Sequence, residues 1–226
     1  MRFHKLLLIV ILFLVSCSQK APIYEHKDFI FGTIVDIKIY GETEEKSENI
    51  SNLIFNDFKR LHNYLHPWEK SLISSMNNAI AAGSVFNVDD EEIIRIIQDN
   101  KNLASKSENY FNPAIGKLIA LWGFHQELPN QMVPKAHQIN ELLANVTTMD
   151  DLKINQSTLS SANRNFQLDL GGYAKGYALD RAKKILANNG VANALVNIGG
   201  NIIAIGMHGD RSWIVGIQHP RKPSAI

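Results

Sequence analysis

The residues best suited to hold an anion lie in the stretch LDLGGYAKGYALDRA, residues 168–182. An apolar run ends at Asp169, and Gly171 and Gly172 then let the backbone turn tightly into a helix that carries Lys175 in its first turn. The first N–H groups of a helix lack partners inside it, and together with the helix dipole they favour an anion. Lys175 could contribute a positive charge to such an anion site, or offer its backbone carbonyl to a ligand. Asp169 could accept hydrogen bonds from an amide or a ribose of that ligand. The pattern alone explains a phosphate site and a purely structural strand-to-helix corner equally well.

This glycine-rich corner is neither of the common nucleotide-binding loops. A dinucleotide fingerprint needs G-x-G-x-x-G, and a P-loop needs a glycine followed by Lys and then Ser or Thr, whereas here Tyr177 follows Gly176. A second glycine pair, Gly199 and Gly200, lies between two apolar runs in ALVNIGGNIIAIG. That pair is consistent with a ligand nearby and equally with a two-residue hairpin turn.

Hydrophobic periodicity indicates the helices and strands that would hold this corner. Five helices are predicted. The first covers 43–65, the second begins at a capping box of Asp89 and Glu92, and the third covers 112–122 with Pro113 in its first turn. The fourth follows Pro134 and the fifth covers 173–188. Strands are predicted in FIFGTIVDIKIYG, within 152–170 around a turn at SANRN, and near 194–198, 201–206 and 212–218. Because strands and helices do not alternate regularly, the predicted fold class is α+β, with mixed sheets and packed helices.

Charge and cysteine content narrow the choice of partners. The chain has 226 residues, with 23 Lys and Arg against 22 Asp and Glu, so its net charge of +1 gives no reason to expect nucleic acid. Cys17 is the only cysteine, which excludes a disulfide within this chain. The expected partner is therefore a small molecule or another protein.

The first twenty residues have the pattern of a targeting segment. Arg2 and Lys5 precede an unbroken apolar run, residues 6–15, that is too short for an ordinary transmembrane helix. Leu14 to Cys17 resembles the bacterial lipoprotein box, in which the signal peptide is cut before a lipid-modified cysteine; an ordinary secretory peptide and a transmembrane anchor are less favoured. We predict a signal peptide over 1–16, a lipid-anchored tether over 17–28 and one folded domain over 29–226. The expected location is the bacterial cell membrane, with the domain on the periplasmic side.

Two smaller groups of polar residues are open to more than one interpretation. His62 and His66 are four residues apart and share a helix face, but the residues between them lack the glutamate of the zincin motif. Ordinary boundary histidines are therefore favoured over zinc ligands. Ser71, Ser74 and Asn77 are consistent with a polar cluster beside a ligand and equally with a loop and a helix cap.

Six ordered stretches resemble the FAD:protein FMN transferase family, also called the ApbE family. They are FGTIVDI, SLISSMN, NYFNPAIGKLIALWGF, LDLGGYAKGYALDRA, ALVNIGGNIIAIG and WIVGIQHPR, and they extend over nearly all of the chain after the targeting segment. The resemblance implies an enzyme that binds FAD and Mg²⁺, transfers FMN to a Thr or Ser hydroxyl of an acceptor protein, and releases AMP. Some members of the family instead hydrolyse FAD to FMN and AMP.

The resemblance also implies roles for individual residues. The residues implied to contact FAD are Phe31, Tyr64, Tyr110, Phe111, Asn112, Asp169 and Lys175. Gly172 occupies the position where a backbone carbonyl meets the metal. No catalytic residue follows from the motifs, and core packing explains Phe111 equally well.

Two departures from the family pattern affect the expected activity. Asn112 and Ala114 stand where the family has Asp and Thr. The family's further metal ligands and its proposed base belong to motifs that would follow Ile226, so the domain is expected to be C-terminally incomplete, with little transferase activity on its own. The alternative functions are an FAD-binding lipoprotein without turnover, an FAD pyrophosphatase, and a structural surface lipoprotein that binds no flavin.

Overall fold

The computed structural model describes residues 21–124, 133–217, 219 and 221. The predicted signal peptide and the predicted lipid attachment at Cys17 lie outside the described residues. The strands are β1 Ile23–Ile30, β2 Thr33–Tyr40, β3 Phe86–Asn87, β4 Leu152–Asn155, β5 Thr158–Ser161, β6 Ala194–Ile198 and β7 Asn201–Ile205. The helices are α1 Glu44–Leu65, α2 Leu72–Ala81, α3 Glu91–Lys106, α4 Gly116–Leu121, α5 Ala136–Ala144 and α6 Ala174–Asn188.

These strands form two antiparallel sheets. The larger has the order β1-β2-β6-β7 and the smaller the order β3-β5-β4. Alternate residues of a strand point to opposite faces, and the buried face of the larger sheet carries Val35, Ile37, Ile39, Val196 and Ile198. Helix α1 packs against β1, and helix α6 packs against α1, β6 and β7. The predicted α+β class with packed helices is confirmed.

Helix α1 is amphipathic, as its periodicity predicts. Thr43 caps it by accepting the N–H of Lys46, and two glutamates in the first turn complement the helix dipole. Ile54, Phe58 and Leu61 are completely buried along its inner face. The prediction of a helix over 43–65 is confirmed, and so is the prediction over 173–188, which becomes α6.

An ion-pair network fastens α6 to α1 and α3. Arg181 of α6 donates to both carboxylate oxygens of Asp57, at 2.5 and 2.9 Å, and to Glu92 at 3.0 Å. Arg60 binds the same two acids, and Tyr177 donates to Glu92 at 2.7 Å. Because α6 carries the glycine-rich corner at its start, this network fixes the helix that positions the candidate site.

Helix α3 begins one residue later than predicted. Asp90, not Asp89, is the cap, and its side chain accepts the N–H of Glu92 at 2.8 Å. The predicted capping box is wrong because the Glu92 carboxylate binds the arginines of the network instead. Hydrophobic periodicity does not indicate helix α2, but Ser71 and Ser74 form a reciprocal capping box at its start, as one of the two interpretations of these serines predicts.

Helix α4 is shorter than the helix predicted over 112–122. It begins at Gly116, and Pro113 precedes it rather than opening its first turn. The backbone carbonyl of Pro113 instead accepts a hydrogen bond from the N–H of Asp169. A tertiary contact therefore replaces the first helical turn that the sequence predicts.

Several predicted strand boundaries are also wrong. The turn of the β4–β5 hairpin lies at 156–157 rather than at SANRN, and 166–170 form no strand apart from one parallel bridge between Gln167 and Ile115. The described residues 212–217 form no strand either, and the indole of Trp213 donates to the carbonyl of Ile205. The strands at 194–198 and 201–205 are confirmed, with Gly199 and Gly200 in the left-handed turn between them.

The larger sheet begins inside the stretch predicted to be a tether. Residues 23–28 belong to β1, which is paired with β2 along its whole length. Edge strands often carry charged side chains on their solvated face, as Glu25 and Lys27 do here. That polarity explains why the sequence resembles a linker. No helix in 21–124 or 133–217 is long and apolar enough to cross a membrane.

Two glycines with the same backbone conformation should differ sharply in their tolerance of alanine. Gly190 has a φ of +69° and open space around it, whereas at Gly206, with a φ of +61°, an added Cβ would lie 2.2 Å from the carbonyl oxygen of Ala192. We expect Gly190→Ala to cost about 1 kcal/mol of unfolding free energy and Gly206→Ala about 3 kcal/mol, because the second also displaces backbone. Urea unfolding of both variants measures the difference, and equal losses would contradict the packing described here.

Candidate functional site

The segment before the glycine-rich corner is held by a side chain in place of a neighbouring strand. Asn77 of α2 accepts the N–H of Leu168 at 2.8 Å and donates to the carbonyl of Leu168 at 2.9 Å. Asn77 is buried, so of the two interpretations of Ser71, Ser74 and Asn77, the serines fit the helix cap and Asn77 fits neither. Its contact joins residues 91 positions apart in sequence, which no local pattern could indicate.

A loop holds the same segment from the other side. The N–H of Asp169 donates to the carbonyl of Pro113 at 2.8 Å, and the N–H of Gly116 donates to the carbonyl of Gln167 at 2.8 Å. A Cβ on Gly116 would lie 2.8 Å from the carbonyl oxygen of Gln167, so glycine permits this close approach. Asp169 therefore emerges from a backbone that is fixed on both sides.

Asn112 stabilises that loop rather than lining the site. Its Oδ1 accepts the N–H of Ala114 at 3.0 Å, and its Nδ2 donates to the carbonyl of Thr147 at 2.8 Å. The hydroxyl of Thr147 in turn donates to the carbonyl of Ala114 at 2.7 Å. Both polar ends of Asn112 are thus engaged within the chain, and its implied contact with FAD stays a prediction.

The start of α6 has two free N–H groups. The N–H groups of Tyr173 and Ala174 both donate to the carbonyl of Leu170, at 2.9 and 2.8 Å. Those of Lys175 and Gly176 find no acceptor in the part of the chain that the structure describes. Since no side chain among the described residues caps α6, its first turn offers these donors, the helix dipole and the Lys175 ammonium to an anion.

A cleft of about 560 Å³ opens beside this helix end. The α6 side of the cleft is formed by Asp169, Leu170, Gly171, Ala174 and Lys175, and the facing wall and rim by Phe29, Ile30, Phe31, Gly32, His62, Leu65, His66, Pro67, Trp68, Glu69 and Phe124. Small-molecule sites typically enclose about 300–1,000 Å³ between apolar walls with a few polar groups. The cleft has the size and the lining of a site for a nucleotide-sized ligand.

Asp169 is the buried carboxyl of the cleft, with 8% of its surface exposed. One of its oxygens accepts the N–H of Gly171 at 2.8 Å. Burial raises the pKa of Asp169, and the Gly171 N–H, the nearby charge of His66 and a hydrogen bond from the Trp68 side chain offset only part of that effect. A carboxyl in this position is available to accept hydrogen bonds from a ligand.

We expect Asp169→Asn to stabilise the ligand-free protein at neutral pH. A carboxyl whose folded-state pKa is raised holds its proton more tightly when folded, so its contribution to stability falls as pH rises above the unfolded value of 3.8. The amide keeps an acceptor for Gly171 but carries no buried charge, so the unfolding temperature at pH 7 should rise by a few degrees. Thermal unfolding between pH 4 and 7 measures this, with Asp150→Asn, at an 82% exposed side chain, as the neutral control. A lower unfolding temperature for Asp169→Asn at pH 7 would contradict it.

Three rings form the opposite wall of the cleft. Phe31 occupies a left-handed turn position, with a φ of 58°, and its ring packs against Phe58 at 5.9 Å between centroids. His62 meets the edge of Phe31 at 5.7 Å and lies 5.4 Å from the ring of His66. Burial, and then the neighbouring His66, lowers the pKa of His62, which keeps this imidazole neutral near pH 7.

His66 is fixed in one orientation at the end of α1. Its Nδ1 accepts the N–H groups of Trp68 and Glu69, at 3.3 and 2.9 Å. Within 21–124 and 133–217, no group of three or more His, Cys, Asp or Glu side chains could hold a metal ion.

The aromatic residues implied to contact FAD are spread over different surroundings. Phe31 lines the cleft, whereas Tyr64 packs half-buried against the core and does not line it. Tyr110 is 94% exposed. Phe111 lies against the corner, where its ring is 3.4 Å from the position that a Cβ on Gly172 would take.

Trp68 is the cleft residue that the sequence patterns missed. It lies three residues before Ser71, close to the Tyr64 that the resemblance favours, and its side chain reaches Asp169 across the cleft. Its position between His66 and the capping serines is the sequence feature that could have indicated Trp68. Only the geometry of the α1–α2 connection shows that Trp68, and not Tyr64, lines the cleft. Trp68 is therefore the better-placed ring for a flat ligand.

Gly172, the residue implied to meet a metal, lies on the other side of the corner. It lines a second concavity of about 440 Å³ with Tyr173, with Gly176, Tyr177 and Asp180 of α6, and with two residues of β7. Mg²⁺ needs about six oxygen ligands, and the described residues supply no acidic cluster there. The described part of the chain does not by itself fit a magnesium site.

The comparisons with known proteins agree on one family. The model of the ApbE family matches residues 31–226. A protein of Rhodobacter capsulatus named FAD:protein FMN transferase is 36% identical over 203 residues, which are 90% of this chain and 39% of that protein. A protein of the same name from Klebsiella pneumoniae is 29% identical over 88% of this chain and 59% of its own length.

Solved structures show the same fold. The crystal structure of the ApbE protein from Thermotoga maritima superposes with a TM-score of 0.79 at 30% identity, covering 91% of this chain and 66% of that one. The flavin transferase ApbE from Vibrio cholerae superposes with a TM-score of 0.77 at 24% identity. The chain spans between about two fifths and two thirds of the length of the proteins it matches in these comparisons.

Proposed function

The chain belongs to the ApbE family, and on that premise we propose that it binds FAD in the cleft and serves the transfer of FMN from FAD to a Thr or Ser of an acceptor protein, with release of AMP. The observation that carries the proposal is the pair of free N–H groups at Lys175 and Gly176 at the start of α6, where Lys175 lines a cleft of nucleotide size and Gly176 lines the neighbouring concavity. Since the chain spans less than two thirds of its relatives, binding is proposed for the described residues and transfer for the whole protein.

The residues of the cleft suit the parts of a flavin dinucleotide. The diphosphate would lie at the start of α6, where amide donors and one ammonium oppose its charge. Trp68 and Phe31 would cover a flat ring system, and Asp169 would accept hydrogen bonds from ring or ribose donors. Each group would act by binding and orienting the nucleotide.

Transfer requires that an acceptor hydroxyl attack the phosphorus on the FMN side of the diphosphate. The new oxygen–phosphorus bond forms as the bond to the AMP oxygen breaks, the hydroxyl proton is released to water or to a base, and negative charge gathers on the phosphoryl oxygens. Donors aimed at those oxygens stabilise that charge, which is the part of the reaction that the start of α6 can serve. We also propose that the reaction requires Mg²⁺, because diphosphate chemistry of this kind commonly uses it.

We also propose that the mature protein is attached to the bacterial cell membrane by a lipid on Cys17, with its domain on the periplasmic side. The support is the sequence pattern around Cys17, which lies outside the described residues. In the cell, the wild type should incorporate labelled palmitate and Cys17→Ser should not, because the variant has no thiol to carry the lipid. Equal labelling of the two proteins, or no labelling of the wild type, would refute the anchor.

A genetic complementation tests the transferase proposal and does not require that the acceptor protein be identified first. The gene is deleted in its own host and restored as wild type or as Lys175→Glu, and denatured envelope proteins are scanned for covalently bound flavin fluorescence. The wild type should restore at least one fluorescent band, and the variant should not. Unchanged bands after deletion would refute the proposal.

Two measurements on the purified protein separate the alternative functions. AMP and free FMN formed from FAD and Mg²⁺ without any acceptor would indicate an FAD pyrophosphatase. Tight FAD binding with no AMP would indicate an FAD-binding lipoprotein without turnover. Absence of FAD binding would leave a structural lipoprotein.

A further inference from the structure

We propose that Asn77 is a positioning residue for nucleotide binding: by pairing both backbone groups of Leu168, it sets the place of Asp169 in the cleft. The inference rests on the proposed function, since the affinity in question is that for FAD. Asn77 touches no atom of the cleft surface and acts only through the segment that it holds.

The contact has the geometry of a strand pairing made by one side chain. In an antiparallel sheet, one residue can exchange both an N–H and a carbonyl bond with its opposite neighbour. Asn77 does this for Leu168 with its Oδ1 and Nδ2, at 2.8 and 2.9 Å. It thereby supplies the partner that the segment 166–170 lacks.

Because both residues are buried, loss of the contact would be energetically costly. Asn77 is 5% exposed and Leu168 is completely buried, so neither backbone group of Leu168 could turn to water if the amide were removed. Unpaired buried donors and acceptors are costly, and a segment that can move will move to satisfy them. The next residue in the segment is Asp169, whose own N–H is anchored to Pro113.

A shift of Leu168 would therefore change the position of Asp169 in the cleft. Asp169 lies between Leu168 and the corner, and its carboxylate accepts the N–H of Gly171 at 2.8 Å. Small displacements of a positioned group reduce binding sharply, because the group no longer meets its partner at hydrogen-bond distance. Asn77 thus connects helix α2 to the segment that places Asp169 in the cleft.

The chain offers a matched control in a second buried asparagine. Asn100 of α3 is completely buried and also donates to a backbone carbonyl, that of Ile96, at 2.8 Å. Ile96 belongs to the same helix, so this contact holds no part of the cleft. Asn77→Ala and Asn100→Ala should both lower the unfolding temperature, but through different segments.

The experiment compares FAD affinity of the purified chain at a temperature where the wild type, Asn77→Ala and Asn100→Ala are all fully folded. We expect Asn77→Ala to bind FAD about tenfold more weakly than Asn100→Ala, by flavin fluorescence titration, because it loses the two buried hydrogen bonds that hold Leu168 beside Asp169. The pH midpoint of FAD binding should also fall in Asn77→Ala, because a displaced Asp169 gains water. A purely structural role would leave that midpoint unchanged.

A conservative variant protects the test against a failure to fold. Asn77→Ser keeps a hydroxyl that can pair with one backbone group of Leu168 and adds no buried charge, so its affinity should lie between those of the wild type and Asn77→Ala. Equal affinity and equal pH midpoints in the Asn77 and Asn100 variants would overturn the positioning role. A wild type that binds no FAD would instead overturn the proposed function, so the two failures are distinguishable.

Discussion

Lys175→Glu is expected to weaken FAD binding by about thirtyfold, which corresponds to about 2 kcal/mol. The substitution removes an ammonium beside the free N–H groups of Lys175 and Gly176 and places a carboxylate where the helix dipole is positive. A diphosphate would then meet repulsion at the point where the wild type offers donors. Fluorescence titration with FAD at low and at physiological salt measures the change, and the difference between variant and wild type should shrink as salt screens the charges.

Lys183→Glu provides the control for that charge reversal. Lys183 is exposed on the same helix, two turns further from its start, so the variant has the same net charge but an unchanged cleft. Its FAD affinity should equal that of the wild type. If the two variants bind FAD equally, the start of α6 is not the diphosphate site.

Arg181→Met should lower the unfolding free energy by about 2 kcal/mol. This is less than the usual loss for a broken buried ion pair, because Arg181 is partly exposed. The substitution removes two hydrogen bonds to Asp57 and one to Glu92, whose side chains are 11% and 16% exposed. Arg60 stays in contact with both acids and limits the loss. Guanidinium unfolding of the variant, with exposed Lys183→Met as the control, measures the effect.

The pH dependence gives a second check on the same network. Burial by itself raises the pKa of Glu92, but hydrogen bonds from Arg60 and Tyr177 and the charges of Arg60 and Arg181 outweigh it and lower the pKa below its ordinary 4.5. A carboxylate with a lowered pKa contributes stability above its unfolded pKa and loses it as pH falls through the folded value. The advantage of the wild type over Arg181→Met should therefore be full at pH 7 and decline below about pH 4.5. An advantage that does not change between pH 7 and pH 3 would contradict this account.

The parts of the fold that the sequence predicts well are those whose pattern is local. The inner face of α1 repeats at three and four residues, and the strands at 194–198 and 201–205 flank a glycine pair, so both can be recognised within a short window. The position of Lys175 in the first turn of α6 follows from the same kind of signal. The family resemblance adds the ligand, which no local pattern supplies.

The errors come from contacts between residues far apart in sequence. The segment 166–170 alternates like a strand, yet its partners are the side chain of Asn77 and the loop at 113–116. Glu92 and Asp57 bind Arg181, which belongs to another helix. Glu92 is therefore not free to form the predicted capping box with Asp89. Trp68 and Tyr64 are four residues apart on the chain, and only the course of the connection after α1 decides which ring enters the cleft.

The most direct test of the central claim is a crystal structure of the protein with FAD bound. We expect the diphosphate to accept hydrogen bonds from the N–H groups of Lys175 and Gly176, with Trp68 or Phe31 against a ring of the nucleotide. A nucleotide bound elsewhere, or a start of α6 filled by the chain's own side chains in the presence of FAD, would contradict it.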